Sequence, residues 1–386
     1  MKLSVAVRRF LAVVVLLLGG LAGAGTSFLL GTCGPFTDVA ADVFCPFVLE
    51  IFYLGITTGT TATTYDPTAN VSRLQMAAFL SRTVDGVLRR GSRRAALDQF
   101  WTTKNATVLG LTTVGSAPAL IASDGVDIWV ADHNSSTVSR VRASDGRLLE
   151  TWTGASFPTG VLSAMGRIFI AGNFLGRIDP GQPAGAVENV TNLPGGSGQQ
   201  LTFDGSRIWV ANSTNGSVSI VTPGATTPWT VTTVTAGFSL PVGAVFDGSS
   251  IWVTDNGAGT LLNLSAAGAI LQTVTVGPGP GFPVFDGANI WVPNFSDSSV
   301  SVVRASSGAV LATLTGNSLG DAHSAAFDGQ RVLVTGEGGL LSLWKAADLT
   351  PLGGASIGLL TSVIGACSDG VSFWITLNNT NLIARF

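Results

Sequence analysis

The octad Phe-Asp-Gly-x-x-Ile-Trp-Val returns down this chain at a nearly constant step, and no other feature restricts the fold as tightly. It is clearest at Phe203-Asp204-Gly205 with Ile208-Trp209-Val210. It recurs at Phe246-Asp247-Gly248 with Ile251-Trp252-Val253, and at Phe285-Asp286-Gly287 with Ile290-Trp291-Val292. Degenerate copies stand at Asp124-Gly125, Phe327-Asp328-Gly329 and Asp369-Gly370, and a seventh, at Met165-Gly166, has lost its Asp. With Met165 counted in the series, the steps are 41, 39, 43, 39, 42 and 41 residues. A period of about 40 built from strand signals marks a β-propeller and not a helical solenoid.

One repeat shows why. Leu201 to Phe203 is a short apolar run, and Asp204-Gly205 is a turn signal, because Gly accepts φ > 0 and Asp bonds its own backbone. Ile208 to Ala211 suits a pleated surface. Ser217 to Val221 alternates polar and apolar, and Thr230 to Val234 follows the break at Pro223-Gly224. Four strands make one blade. A lone blade leaves both faces wet, so Trp209 and its equivalents read as core between stacked blades. The repeated Asp residues read as turn formers. One Asp per blade cannot gather several oxygens around a calcium ion.

Closure can be read as well. Asn381 to Phe386 matches a third strand with no fourth after it, and Ala106 to Gly115 looks like a fourth strand with no blade of its own. Together they complete one blade and remove a bare sheet edge. The expectation is a mainly β chain, a seven-bladed β-propeller over 106–386 with a small α-helical module before it.

At the N-terminus, Lys2, Arg8 and Arg9 precede the apolar run from Phe10 to Leu18, and Ala22-Gly23-Ala24 supplies small residues. These three regions predict a signal peptide over 1–24, cleaved after Ala24. A retained anchor is the alternative, although the run is short for a bilayer. The expected mature chain has no membrane span and works outside the cytoplasm. Charged residues are 11 % of the 386 and the net charge is -3, which offers no attraction to nucleic acid.

Residues 25–85 do not share the repeat. A helical stretch places Phe47, Ile51 and Leu54 four and three apart, and Gly55 follows as a stop signal. Ser72 reads as an N-cap with Gln75 three residues on, completing a capping box. Cys33 and Cys45, 12 apart in an exported chain, read as a disulfide stapling a small domain. Cys367, in an apolar strand, reads as an inert buried thiol. Residues 86–105 form a linker with a basic cluster at Arg89, Arg90, Arg93 and Arg94, followed by Leu97, Phe100 and Trp101. It is read as a solvated helix that packs an aromatic on the ring floor, or as a contact for an acidic envelope polymer.

Phe36-x-Asp38-Val39, Leu54-Gly55-Ile56-Thr57-x-Gly59, Tyr65-x-Pro67 and Val71-Ser72-Arg73-x-Gln75-Met76-Ala77 resemble the S-layer homology (SLH) domain. The resemblance implies contact with cell-wall polysaccharide or peptidoglycan. It makes Arg73 the anion-binding residue, since a guanidinium fork pairs well with a carboxylate. Gly59 then lies near the same groove, and Gln75 stands where the family carries Glu. No cofactor is implied for this module.

Catalytic motifs are absent: the sequence has no HExxH, GxSxG, GxxxxGK[ST] or CxxC. His133 falls in a turn and reads as surface. His323 stands at the entry of an innermost strand, where propellers gather ligands. The ring resembles the YVTN, NHL and streptogramin-lyase-like propellers. The lyases imply a His base with a Mg²⁺-holding carboxylate, for which Asp321 and Glu337 are the only nearby candidates. The reading is a non-catalytic, exported envelope protein whose propeller binds an unidentified protein or glycan. The alternative is a secreted lyase or hydrolase acting near His323.

Overall fold

The computed structural model describes residue 33 and residues 35–39, 45–53, 57–80, 110–196, 198–357 and 362–386. The expected signal peptide, the 86–105 linker, the Leu54 to Ile56 helix stop and the first part of the closing strand lie outside those residues. Two compact units emerge, Met1–Ala96 and Leu97–Phe386.

The second unit is the seven-bladed ring expected from the repeat. Each blade is a four-stranded antiparallel sheet, here lettered A to D from its first strand. Blades one to six run Pro118–Thr153, Gly160–Asn192, Gly198–Val234, Pro241–Thr275, Val284–Leu314 and Ala322–Ser356. Blade seven takes its first three strands from Val363–Arg385 and its fourth from Gly110–Thr113. The register is Gly110 with Arg385, Leu111 with Ala384, Thr112 with Ile383 and Thr113 with Leu382. The split blade inferred from the two half-patterns is therefore present.

The octad works through one carboxylate doing two jobs. In blade four, Asp247 Oδ1 accepts the backbone N–H of Ser249 and Ser250, which closes the A–B hairpin, while Gly248 turns at φ 95°. Its Oδ2 accepts the indole N–H of Trp252 at 2.7 Å. The same bond joins Asp124 to Trp129, Asp204 to Trp209, Asp286 to Trp291 and Asp369 to Trp374. The indole can then be fully buried without leaving its donor unpaired. In blade six, where Leu333 replaces Trp, Arg331 Nε donates to Asp328 Oδ2 at 2.8 Å.

The core lies between blades. Trp129 packs on Ile168 and Ile170 of blade two, Trp209 on Ala244 and Val253 of blade four, and Trp252 on Ile290 and Val292 of blade five. Trp291 meets Val332 and Val334, and Trp374 closes the circle against Ile128 and Val130 of blade one. Phe169 and Leu333 fill the same place in the two copies that lack Trp.

The first unit contains a helix at Cys45–Tyr53 and a second over 73–80. Cys33 and Cys45 are joined by the expected disulfide, with their Cα atoms 5.5 Å apart. No helix among the described residues is long and apolar enough to cross a membrane.

Candidate functional site

In the first unit the motif residues build the frame. Phe36 is fully buried and meets Phe52 edge-on at 5.0 Å and Tyr65 at 5.5 Å. Asp38 accepts the backbone N–H of Tyr65 and Asp66, at 2.8 and 2.6 Å, fastening the 57–66 loop to the start of the module. These bonds hold its carboxyl below the usual range. Gly59 sits at φ 76°, and a Cβ there would press on Thr64 O, Thr61 O and the Phe36 ring. Its identity is thus explained by the backbone. Ser72 and Gln75 form the reciprocal capping box: Gln75 N–H donates to Ser72 Oγ at 3.2 Å and Ser72 N–H to Gln75 Oε1 at 2.8 Å. Arg73 follows directly at the helix start, solvent-exposed, with no ion pair among the described residues. Leu74, next along the helix, is 84 % exposed.

The second candidate lies on the ring axis, on the face that carries the B–C turns and the segments entering each A strand. A cavity of about 520 Å³ opens there, lined from all seven blades by residues that include Ala119, Thr159, Gln199, Asn256, His323 and Asn378. His323 stands in the first strand of blade six, and blade five backs it. The Phe282-Pro283 segment cannot continue as an A strand of its own blade, and pairs instead in parallel with blade six. Phe282 N–H donates to His323 O at 2.9 Å, and Ala325 N–H returns to Phe282 O at 3.1 Å. The imidazole then rests 5.5 Å from the Phe282 ring and 6.0 Å from the Phe295 ring.

His323 Nδ1 lies 3.3 Å from Ile364 O, and a carbonyl only accepts, so Nδ1 carries the hydrogen and Nε2 the lone pair. Burial pushes the His323 pKa down, against the opposing pull of the Ile364 bond and the Glu337 charge. It is therefore neutral at pH 7.

His133, expected on the open surface, is half-buried and lines the same cavity. Its Nδ1 bonds Pro158 O at 3.3 Å. Asn256 and Asn378 hold the same place in their blades and donate to Pro280 O and Pro118 O at 3.2 and 3.0 Å. In these three blades the residue after strand B thus fastens its blade to the entry of the next. A surface reading missed this because the partner carbonyls lie 24 or more residues away in sequence. The signal available was that this position is polar or aromatic in all seven copies.

Residues 35–77 match the S-layer homology domain. No curated protein matches the chain in sequence. Among solved structures, a streptogramin B lyase superposes with a TM-score of 0.58 at 15 % identity, covering 72 % of this chain and 96 % of that one. A catalytically inactive His-to-Ala variant of virginiamycin B lyase from Staphylococcus aureus, solved with quinupristin, gives 0.59 at 16 %, covering 72 % and 98 %. Hydrazine synthase of Kuenenia stuttgartiensis gives 0.59 at 14 %, covering 73 % and 99 %. Two lyases and a hydrazine synthase on one kind of ring, all at 16 % identity or less, fix the architecture and leave the chemistry to the site.

Within the SLH module, Arg73, Gly59 and Gln75 have separate structural settings: exposed helix start, tight loop and capping box. At the ring mouth, neither Asp321 nor Glu337 lines the cavity beside His323. Asp321 bonds Ser298 and Glu337 bonds Ser362, each at 3.5 Å. Among the described residues no three His, Cys, Asp or Glu side chains gather to hold a metal. The carboxylate set that the lyase resemblance implies does not fit these residues. Cys367 is half-buried, and burial raises its thiol pKa, which disfavours the nucleophilic thiolate.

Proposed function

We propose that this chain is an exported bacterial cell-envelope protein. Its SLH module contacts cell-wall polysaccharide or peptidoglycan, and its propeller presents a rigid, non-catalytic binding surface at the ring mouth. The observation that carries this reading is the SLH match over residues 35–77. The intact frame of Phe36, Asp38 and the capping box supports it. Arg73 stands exposed at the helix start, where a guanidinium can pair with an anionic group of the wall polymer. In this reading Gly59, in the tight 57–66 loop, and Gln75, in the capping box beside Arg73, belong to the same contact surface.

The test is co-sedimentation of the full chain with purified cell-wall sacculi. The unmodified protein should pellet. Arg73→Ala should weaken the apparent affinity by about tenfold, the scale of one lost charge-assisted hydrogen bond. If neither form pellets, the anchoring proposal fails.

His323 in a lined cavity, on a ring shared with lyases, keeps one rival in view: a secreted lyase or hydrolase. That reading needs a general base within reach of a polarised substrate. A metal-dependent turnover abolished by His323→Ala would favour it. The lining, which contains no Asp or Glu, supports binding.

A further inference from the structure

The ring segregates its charges by face. Its ten cationic side chains among the described residues, from Arg140 to Arg385, all stand within strands or at the A–B and C–D hairpins. None occupies a B–C turn or a segment entering an A strand. Among the described residues the mouth face carries five carboxyl groups, Asp132, Asp255, Asp297, Asp321 and Glu337, and no Lys or Arg. Two of the five, Asp132 and Asp255, are fully buried in the blade corners. The other three are exposed and stand in blades five and six, on the side where His323 lines the cavity.

The cavity lining gathers hydrogen-bond acceptors and holds no Lys, Arg, Asp or Glu; the hydroxyls of Thr159 and Ser213 and the amide of Gln199 can donate or accept. His133 and His323 each commit Nδ1–H to a backbone carbonyl, which leaves Nε2 as an acceptor. Asn256 and Asn378 each commit one N–H to a carbonyl, and Oδ1 keeps its lone pairs. Aromatic faces stand among these acceptors. Phe282 and Phe295 flank His323. At the rim, Phe157 is 53 % exposed and held at φ 47°, a conformation that bulky residues rarely adopt. A large aromatic kept in water at a backbone cost suits contact with a ligand better than core packing.

We propose that the ring mouth binds an ammonium-bearing organic cation, its N–H groups donating to the imidazole and amide acceptors and its charge lying against Phe282 and Phe295. The chemistry selects this class. An anion could take the Thr159, Ser213 and Gln199 donors but would meet a carboxylate field with no cation to pair it. An uncharged ligand would gain the hydrogen bonds and forgo both the field and the cation–π contact. The field reaches the cavity wall, since Glu337 favours positive charge on His323. The proposal rests on reading the propeller as a binding module, and it is independent of how the SLH module meets the wall.

Three probes of one length and different charge test it on the full chain: 1,5-diaminopentane, 1,5-pentanediol and glutarate, titrated by calorimetry or ligand-observed NMR. The diamine should bind at one saturable site, at least about tenfold more tightly than the diol, with glutarate weakest. Phe295→Ala, at an exposed position, should weaken the diamine by about fivefold. Glu337→Gln combined with Asp321→Asn should weaken it further and flatten its dependence on salt. Asp348→Asn on the hairpin face should change nothing. Equal binding of the three probes, preference for the diol or glutarate, no binding by any, or indifference to the mouth substitutions would each overturn the proposal. Sedimentation with sacculi would be unaffected by any of these results, so the two readings fail separately.

Discussion

At the scale of single residues, the repeat is a device for burying an indole. Asp204 illustrates its electrostatics. Burial works to raise its pKa, but the bonds from Trp209 and from the Arg207 and Ser206 N–H groups outweigh it and hold the value at about 2. The folded value lies below the unfolded one, so its contribution is full above about pH 4 and is lost as the pH falls toward 2. Asp204→Ala should lower stability at pH 7 by about 1–3 kcal/mol and flatten the acid limb of a urea-denaturation series. Asp132 has the opposite sign. Burial raises its carboxyl to about 6, with Ser139 and Thr137 donating only to Oδ2 and Oδ1 left without a partner. Its charge therefore penalises the fold above about pH 6, and the penalty fades as the pH falls toward 4. Asn212 and Asn294 occupy the same corner and bond the equivalent serines. Asp132→Asn should raise the melting temperature at pH 8 and change it little at pH 4.5. Identical shifts at both pH values would refute this account. The turn role of Asp and the core role of Trp were legible from composition and spacing. Their mutual bond was not, although a constant separation of five residues in each copy that keeps both was the available sign.

At the scale of elements, the most informative outcomes concern pieces that bridge distant parts of the chain. Strand Gly110–Thr113 reaches across the sequence to Leu382–Arg385. Deleting residues 107–114 should lower the melting temperature of the ring sharply, and an unchanged melting curve would contradict the observed closure. In the first unit, Ser72→Ala removes one arm of the capping box and should cost about 1 kcal/mol of local stability, read by hydrogen exchange over 73–80. A thiol assay under denaturing, non-reducing conditions should count one free cysteine, Cys367; three would remove the disulfide. Strand periodicity, turn chemistry and capping are local, so these elements could be read from sequence. Blade five is the exception. Pro280 and Pro283 forbid a full inner strand, and the parallel pairing of Phe282 with blade six that replaces it depends on a neighbour about 40 residues on.

At the scale of the whole molecule, the fold was almost entirely legible and the mouth only partly so. The ring follows from counting repeats. The cavity arises only when residues spaced about one blade apart converge on the axis, which is why His323 was noticed and His133 was misplaced. Replacing Trp252 by Ala should cost about 3–5 kcal/mol, because it empties the seam between blades four and five, and the loss should appear in one cooperative transition of the whole ring. A shift confined to a separate melting phase would contradict that unity. The closing strand also sets the mechanics of the chain. Gly110–Thr113 is the first strand of the second unit among the described residues, so a pull on the chain preceding Gly110 loads that strand. Four residue pairs with Leu382–Arg385 are the first to carry the load. The ring would yield under force at the seam where its two chain ends meet, at a rate set by the unfolding barrier of that strand and independent of the equilibrium stability of the other six blades.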